Sequence, residues 1–261
     1  SPALADTGPP AANAAELLDQ LNAWIDATDR PLLKQYLESV VANADEADPD
    51  SLKAVNYALK LAEDAHEGDA ASLWTDTPFI VYEVPALSPE KRLPDTLPAD
   101  GTVSDRITVI SAQDEYEAAS FVLAPIADVD SLTFTVGDLQ GDAGSIPASS
   151  IDMHVVKTWY QGGTAWQSYF FDDTLDVLIP ELLLHDENLI RVDHATKRNA
   201  VRVDYPDGPQ YVDISGSPPA PFSSYDEPVA DSPVLLPISL KQGESKQMWL
   251  TTKVPAGTPA G

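Results

Sequence analysis

Pro78-Phe79-Ile80-Val81-Tyr82 is where the periodicity of this chain changes, and the fold class turns on that change. Upstream, apolar residues recur at spacings of three and four. Leu17, Leu18, Leu21, Trp24 and Ile25 form one stripe, Leu32, Leu33, Tyr36, Leu37, Val40 and Val41 a second, and Leu52, Val55, Leu59 and Ala62 a third. Each stripe is the buried face of a short amphipathic helix. The first helix is expected to end near Asp26. Asp29 is expected to cap the second, and Asp48, before Pro49-Asp50-Ser51, the third, because a side-chain carboxylate can accept the orphan N–H groups of a first turn that tolerates proline. From Pro78 onward the apolar residues come instead in brief β-branched and aromatic runs broken by Pro, Gly and Asp.

Those runs predict strands over residues 79–82, 107–110, 119–123, 132–136, 151–159, 189–192, 199–203, 211–214, 234–240 and 246–254. With almost no helical window among them, the expected fold is mainly β: an antiparallel β-sandwich preceded by a short all-α segment of about three helices. The expected organisation is a flexible leader over residues 1–10, a helical segment over 11–74 and the sandwich over 75–261. The helices alone make a marginal core, so they must pack on one another or on the strands C-terminal to them. The Ser/Gly/Pro-rich stretch from Ser215 to Pro233 is long for a hairpin connection and reads as a loop able to drape over a neighbour. Residues 246–254 with Pro255-Ala256-Gly257-Thr258-Pro259-Ala260-Gly261 after them read as a strand and a turn leading to a further strand, an arrangement expected of a chain cut before its next element.

The chain has 261 residues, with 42 Asp+Glu against 15 Lys+Arg and a formal charge of −27. Duplex nucleic acid and anionic membranes are therefore excluded as natural partners, since both need clustered cations. A diffuse acidic surface, with no apolar run long enough to span a bilayer and a Pro/Ala leader such as remains after signal-peptide cleavage, favours a secreted, extracellular or periplasmic protein. The absence of Cys removes disulfides and thiolate chemistry.

Signatures of catalysis are missing: no glycine-rich phosphate loop, no Gly-x-Ser-x-Gly elbow and no His-Glu-x-x-His occurs. The histidines at 66, 154, 185 and 194 lack helical ligand spacing, so no metal ligand and no cofactor is assigned. Asp114-Glu115, Asp186-Glu187 and Asp226-Glu227 are adjacent acids, but neighbours on a strand point to opposite faces, and a solvated loop explains them better than paired catalysis. Asp45, Glu46, Asp48 and Asp50 lack the glycine and alternation of a calcium loop and serve better at a helix N-terminus. One cluster stands apart: Lys157, Trp159, Tyr160, Gln161, Gly162, Gly163, Trp166, Tyr169, Phe170 and Phe171. Flat rings beside amides suit sugar stacking, and the candidate ligand residues are Trp159, Tyr160, Trp166 and Tyr169, with Trp159 and Trp166 expected at the surface. Packing into the sandwich is the competing reading.

A resemblance adds to this. Ala112-Gln113-Asp114-Glu115-Tyr116-Glu117-Ala118-Ala119-Ser120-Phe121-Val122-Leu123 is similar to the G-E-x-E-x-x-S-F-x-L strand pair in β-sandwich domains that precede the catalytic barrel of glycoside hydrolase family 123-like proteins, a group that includes chains carrying a domain of unknown function. In the same order, Val155-Val156-Lys157-Thr158-Trp159-Tyr160-Gln161 resembles that family's V-K-x-W-Y-Q strand, and Pro180-Glu181-Leu182-Leu183-Leu184-His185-Asp186-Glu187 its P-E-L-L-L-x-D segment. Val192-Asp193 with Lys197-Arg198-Asn199 resembles a subsequent V-D and N, and Gln247-Met248-Trp249-Leu250 through Val254-Pro255-Ala256-Gly257-Thr258-Pro259-Ala260-Gly261 its Q-x-W and V-P and P-A-G ending. The match covers Pro78 to Gly261 and leaves the helices unmatched. It implies a non-catalytic sandwich that packs on and positions a C-terminal catalytic barrel of the same polypeptide, whose chemistry is hydrolysis of an N-acetylgalactosaminide by an Asp-Glu pair; no catalytic residue carries over. Asp114 stands where the family has Gly, which implies that this turn does not need a positive φ. Two other functions stay open, a carbohydrate-binding module with glycan as its partner and a stand-alone structural or adhesive sandwich.

Overall fold

The computed structural model describes residues 14–162, 176–215 and 229–259. Three helices come first: α1 (Ala14–Ala27), α2 (Pro31–Ala42) and α3 (Pro49–His66). The Asp48 carboxylate accepts the N–H groups of Asp50 and Ser51 at 3.2 Å each, as its position predicts. Asp29 does not cap α2. The residue before Pro31 is Arg30, whose side chain makes no cap bond and instead donates Nη2 to the carbonyls of Ala70 and Ala71, both at 2.8 Å. Asp29 sits one residue too early to reach the first turn and is exposed.

Thirteen strands succeed them among the described residues. They are β1 (Phe79–Val84), β2 (Thr102–Val103), β3 (Tyr116–Pro125), β4 (Val129–Leu132), β5 (Leu139–Gly141), β6 (Gly144–Ile146), β7 (Ile151–Gly162), β8 (Asp176–Leu184), β9 (Ile190–Asp193), β10 (Arg198–Tyr205), β11 (Gly208–Asp213), β12 (Ile238–Leu240) and β13 (Lys246–Lys253). All described pairings are antiparallel. The main sheet runs β2-β1-β3-β13-β7-β8; β11-β10-β9, β12-β4 and β5-β6 form smaller sheets.

Alternation along the strands sorts the apolar residues into two cores. Phe121, Leu123, Val155, Leu184 and Met248 on one face of the main sheet pack with Ile190, Val201 and Val203 of the three-stranded sheet and with Ile238 and Leu240 of β12. This is the sandwich. The opposite face of β1 and β3 presents Ile80, Tyr82, Val84, Val122 and Ala124 to Leu21, Leu33, Leu37, Val55 and Leu61 of the helices, in a single cluster. The result is three layers, with helices behind one half of a sheet whose other face carries the sandwich. Two hydroxyls tie the layers: Tyr82 donates to Asp64 Oδ2 at 3.0 Å, and Tyr57 shares a bond of 2.9 Å with Ser245.

The strand expectations fail in identifiable places. Residues 107–110 are not a strand: their N–H at Thr108 is taken by the Glu83 carboxylate at 2.8 Å, and the edge of β1 is already occupied by β2. Residues 133–136 and 234–237 are irregular, so β4 lies N-terminal to the expected 132–136 and shares only Leu132 with it, and β12 is shorter than expected. The hairpin β5-β6 and strand β8 are additions to the expected set; Pro180 argues against a strand, but β8 is an edge strand, and its register with β7 shifts at this point so that Glu181 is left over. Asp114 does adopt a positive φ, 63°, against expectation. Aspartate tolerates the left-handed region better than most residues, and here its N–H donates to Val254 O at 2.9 Å while its carboxylate takes Lys253 Nζ at 2.6 Å.

Candidate functional site

The chemistry-bearing residues concentrate along β7. Being adjacent on a strand, Trp159 and Tyr160 point to opposite faces, so β7 cannot present them as one platform. Trp159 is half-buried on the sandwich side, in line with Lys157 and Gln161. Its indole Nε1 donates to Glu181 Oε2 at 2.9 Å, and Gln161 Nε2 donates to the same carboxylate oxygen. The extra residue in β8 is what swings Glu181 over this row. Tyr160 faces the helical side, where its hydroxyl lies 3.2 Å from His194 Nδ1. Its backbone is bracketed by one side chain: Asn199 Oδ1 accepts the Tyr160 N–H at 3.0 Å and Asn199 Nδ2 donates to Tyr160 O at 2.6 Å. The amide of Asn199, buried in β10, substitutes for a neighbouring strand. Trp166 and Tyr169, the other two candidate ligand residues, lie outside the described residues, as do Asp226-Glu227 and most of the Ser215 to Pro233 loop.

That substitution is needed because the main sheet splits. β13 pairs with β7 only from Thr252↔Ile151 to Met248↔Val155; beyond Val155, β7 continues against β8 while β13 continues against β3. The wedge between them is a cavity of about 320 Å³ lined by Lys157, Thr158, Glu187, Ser239, Lys246 and Gln247, among others. Lys246 pairs with Glu187, whereas Lys157 makes no hydrogen bond or ion pair with a described residue. Burial pushes the Lys157 ammonium below the ordinary lysine value, with the Glu187 charge opposing. Lys157 lines this cavity with the Glu187–Lys246 pair, a charged lining that can hold a polyol or a carboxylate. The adjacent acids Asp186 and Glu187 are engaged elsewhere: Asp186 pairs with Arg202 and Glu187 with Lys246, which makes them structural.

A third group is one that sequence reasoning misses. Asp152 and His154, at i and i+2 on β7, share the outer face of the sheet, and His185 comes directly after Leu184, the partner of Val155. The His154 and His185 rings stack with centroids 4.1 Å apart and planes 18° from parallel. His185 Nε2 lies 2.8 Å from Asp152 Oδ1, and His154 Nε2 lies 3.6 Å from Asp152 Oδ2. Two histidines distant in sequence carry no spacing signal; the Asp-x-His pattern inside a strand is the one available clue, because it places both side chains on one face.

Fold and site together define an antiparallel sandwich, backed by helices, with a polar cleft in its main sheet. No family model matches the chain, and no curated protein matches it. Among solved structures, a similar region occurs in a family 123 glycoside hydrolase from Clostridium perfringens, described in a structural analysis of glycolipid glycan hydrolysis. The identity is 9% and the TM-score 0.29, over 57% of this chain and 17% of that one. The chain thus spans well under two thirds of that enzyme, and a superposition at this level does not define a shared fold.

Proposed function

We propose that this chain is the non-catalytic front of a secreted, glycoside-hydrolase-like protein, a sandwich that packs on and positions a catalytic barrel of the same polypeptide. The observation that carries this reading is where the five resembling stretches fall. The S-F-x-L, Q-x-W, V-K-x-W-Y-Q and P-E-L-L-L segments are β3, β13, β7 and β8, consecutive hydrogen-bonded neighbours in one sheet. The asparagine of the fifth is Asn199, which brackets the tyrosine of the third. Four of the stretches are thus adjacent strands of the main sheet, the element on which such a packing role would rest. Around the last described residues, exposed apolar side chains offer a packing surface: Ile110 is 87% and Tyr116 70% exposed. They flank the turn that holds residues 254–258, through Asp114 N to Val254 O at 2.9 Å and Gln113 Nε2 to Thr258 O at 2.6 Å.

The test compares this chain with the full encoded polypeptide. This chain alone leaves a chromogenic N-acetylgalactosaminide intact, the full polypeptide cleaves it, and Ile110→Glu lowers the unfolding midpoint of the full polypeptide but not of this chain. Hydrolysis by this chain alone, or a polypeptide that encodes no barrel, overturns the proposal; the second result leaves a structural or adhesive sandwich.

A second reading, glycan binding in its own right, is favoured by the row of Lys157, Trp159 and Gln161 beside Glu181, which sets an ammonium, a ring and two polar groups along one face of β7. Affinity electrophoresis in polysaccharide gels tests it. Retardation abolished by Trp159→Ala supports binding at this row, and unretarded migration in every gel removes it.

A further inference from the structure

We propose that Asp152, His154 and His185 form a binding site for a first-row divalent cation of the zinc class. This goes beyond the accessory role above and is independent of it.

The donor atoms are already gathered. One ligand atom from each residue lies within 4.8 Å of the other two. In a tetrahedral site with metal–ligand bonds of about 2.0 Å, ligand atoms sit about 3.3 Å apart. The Asp152 carboxylate spans the two rings, with Oδ1 at 2.8 Å from His185 Nε2 and Oδ2 at 3.6 Å from His154 Nε2, one on either side of that value. For both imidazoles to turn a nitrogen toward one cation, the near-parallel rings must swing out of their stack by side-chain rotation, on a backbone set by the β7-β8 ladder.

Orientation supports the same conclusion. His185 Nδ1 lies 2.7 Å from the carbonyl oxygen of Ser232, which can only accept, so Nδ1 carries a hydrogen and Nε2 is the nitrogen aimed at Asp152. Metal-ligating histidines are held in this way, by a carbonyl on the far nitrogen. The backbone beneath is pinned as well: Asp231 accepts the N–H groups of His185 and Asp186 at 2.7 and 2.9 Å, and Leu236 N–H donates to His185 O at 2.8 Å. His154 Nδ1 is buried with no hydrogen-bond partner among the described residues, and the ring is held by its stack on His185. Its other nitrogen faces the carboxylate.

The donor set fixes the cation class. Two imidazoles and one carboxylate suit zinc, nickel, copper or cobalt, whereas calcium and magnesium prefer all-oxygen shells. Asp152 is 57% exposed on its side chain, which leaves a route in and room for a water or a ligand oxygen in the remaining position. A bound cation would cross-link the start of β7, the end of β8 and residues 231–236.

The experiment titrates the tag-free chain, stripped with chelator, with zinc chloride by calorimetry and with cobalt chloride by visible absorption, and tracks the unfolding midpoint with each. The expected result is one equivalent of zinc, a cobalt visible absorption band typical of nitrogen and oxygen ligation, and a zinc-dependent rise in midpoint that calcium does not reproduce. His154→Ala and Asp152→Asn should each weaken zinc binding at least about tenfold, a loss at the lower end of what disturbing a metal site produces. Asp152→Asn keeps the shape of an exposed side chain and so separates lost ligation from lost folding. Equal zinc binding or equal midpoint shifts in wild type and Asp152→Asn overturn the proposal, since a chain this acidic attracts cations diffusely.

Discussion

Replacing Tyr82 by Phe tests whether helices and sandwich are one cooperative body. The Tyr82 ring is 1% exposed and stands at the centre of the cluster joining β1 to the helices. Its hydroxyl donates to Asp64 Oδ2 at 3.0 Å, and Asp64 also takes Lys60 Nζ at 2.8 Å. Burial, and after it the Asp64 charge, pushes the phenol far above the ordinary tyrosine value, so it remains a donor at any working pH. Phenylalanine keeps the ring packing and leaves no cavity, so the loss is the hydrogen bond itself. A bond to a charged acceptor contributes about 1.5–3 kcal/mol, and because Asp64 keeps Lys60 the expected cost is at the low end, about 1.5 kcal/mol. At about 2–4 °C per kcal/mol for a chain of this size, the midpoint should fall by about 3–6 °C. Far-ultraviolet circular dichroism, which reports strongly on the helices, and tryptophan fluorescence should give coincident transitions that shift together. An unchanged midpoint, or an early helical transition that leaves the fluorescence midpoint where it was, would refute the argument.

Other consequences can be checked similarly. Asp48→Ala removes a cap that accepts two backbone N–H groups and should cost about 1 kcal/mol by denaturant titration, whereas Asp29→Ala should be neutral, since nothing is capped there. Met248→Ala, at 0% exposure in the sandwich core, should cost about 2–5 kcal/mol by the same titration. Hydrogen bonding from the buried Arg92 guanidinium, chiefly, holds the Asp100 carboxyl well below the usual carboxylate range. With the folded value depressed, this contribution is complete above about pH 4, near the unfolded carboxylate value, and fades as pH falls toward the folded one. Arg92→Ala should therefore flatten the acid limb of the stability profile, and an unaltered limb would count against it.

The strands legible in the sequence are those whose apolar residues are also buried, on both faces in β3 or on one face in β1 and β10. Residues 107–110 have the same composition but no strand beside them, and composition describes fitness for a pleated surface without supplying the neighbour. Strand β8 is hidden by Pro180, which an edge position with a bulge accommodates. The aromatic run is legible as a cluster, but its division between two faces comes from alternation and is visible only against β8 and β10. At position 114 the loss of a glycine does not mean the loss of a positive φ, because an ion pair with Lys253 and a bond to Val254 hold an aspartate in that conformation. The histidine group depends on a β7-β8 pairing that sequence distance conceals.

Because the buried helix-facing residues come from β1, β2 and β3 and none from β7 or β8, the main sheet is protected unevenly. Amide hydrogens should exchange with deuterium most slowly in the doubly covered β1 and β3 and faster toward β8, an outer strand interrupted by Pro180. The same gradient would make the β7-β8 margin the first part of the sheet to open and re-form, leaving the helical layer undisturbed.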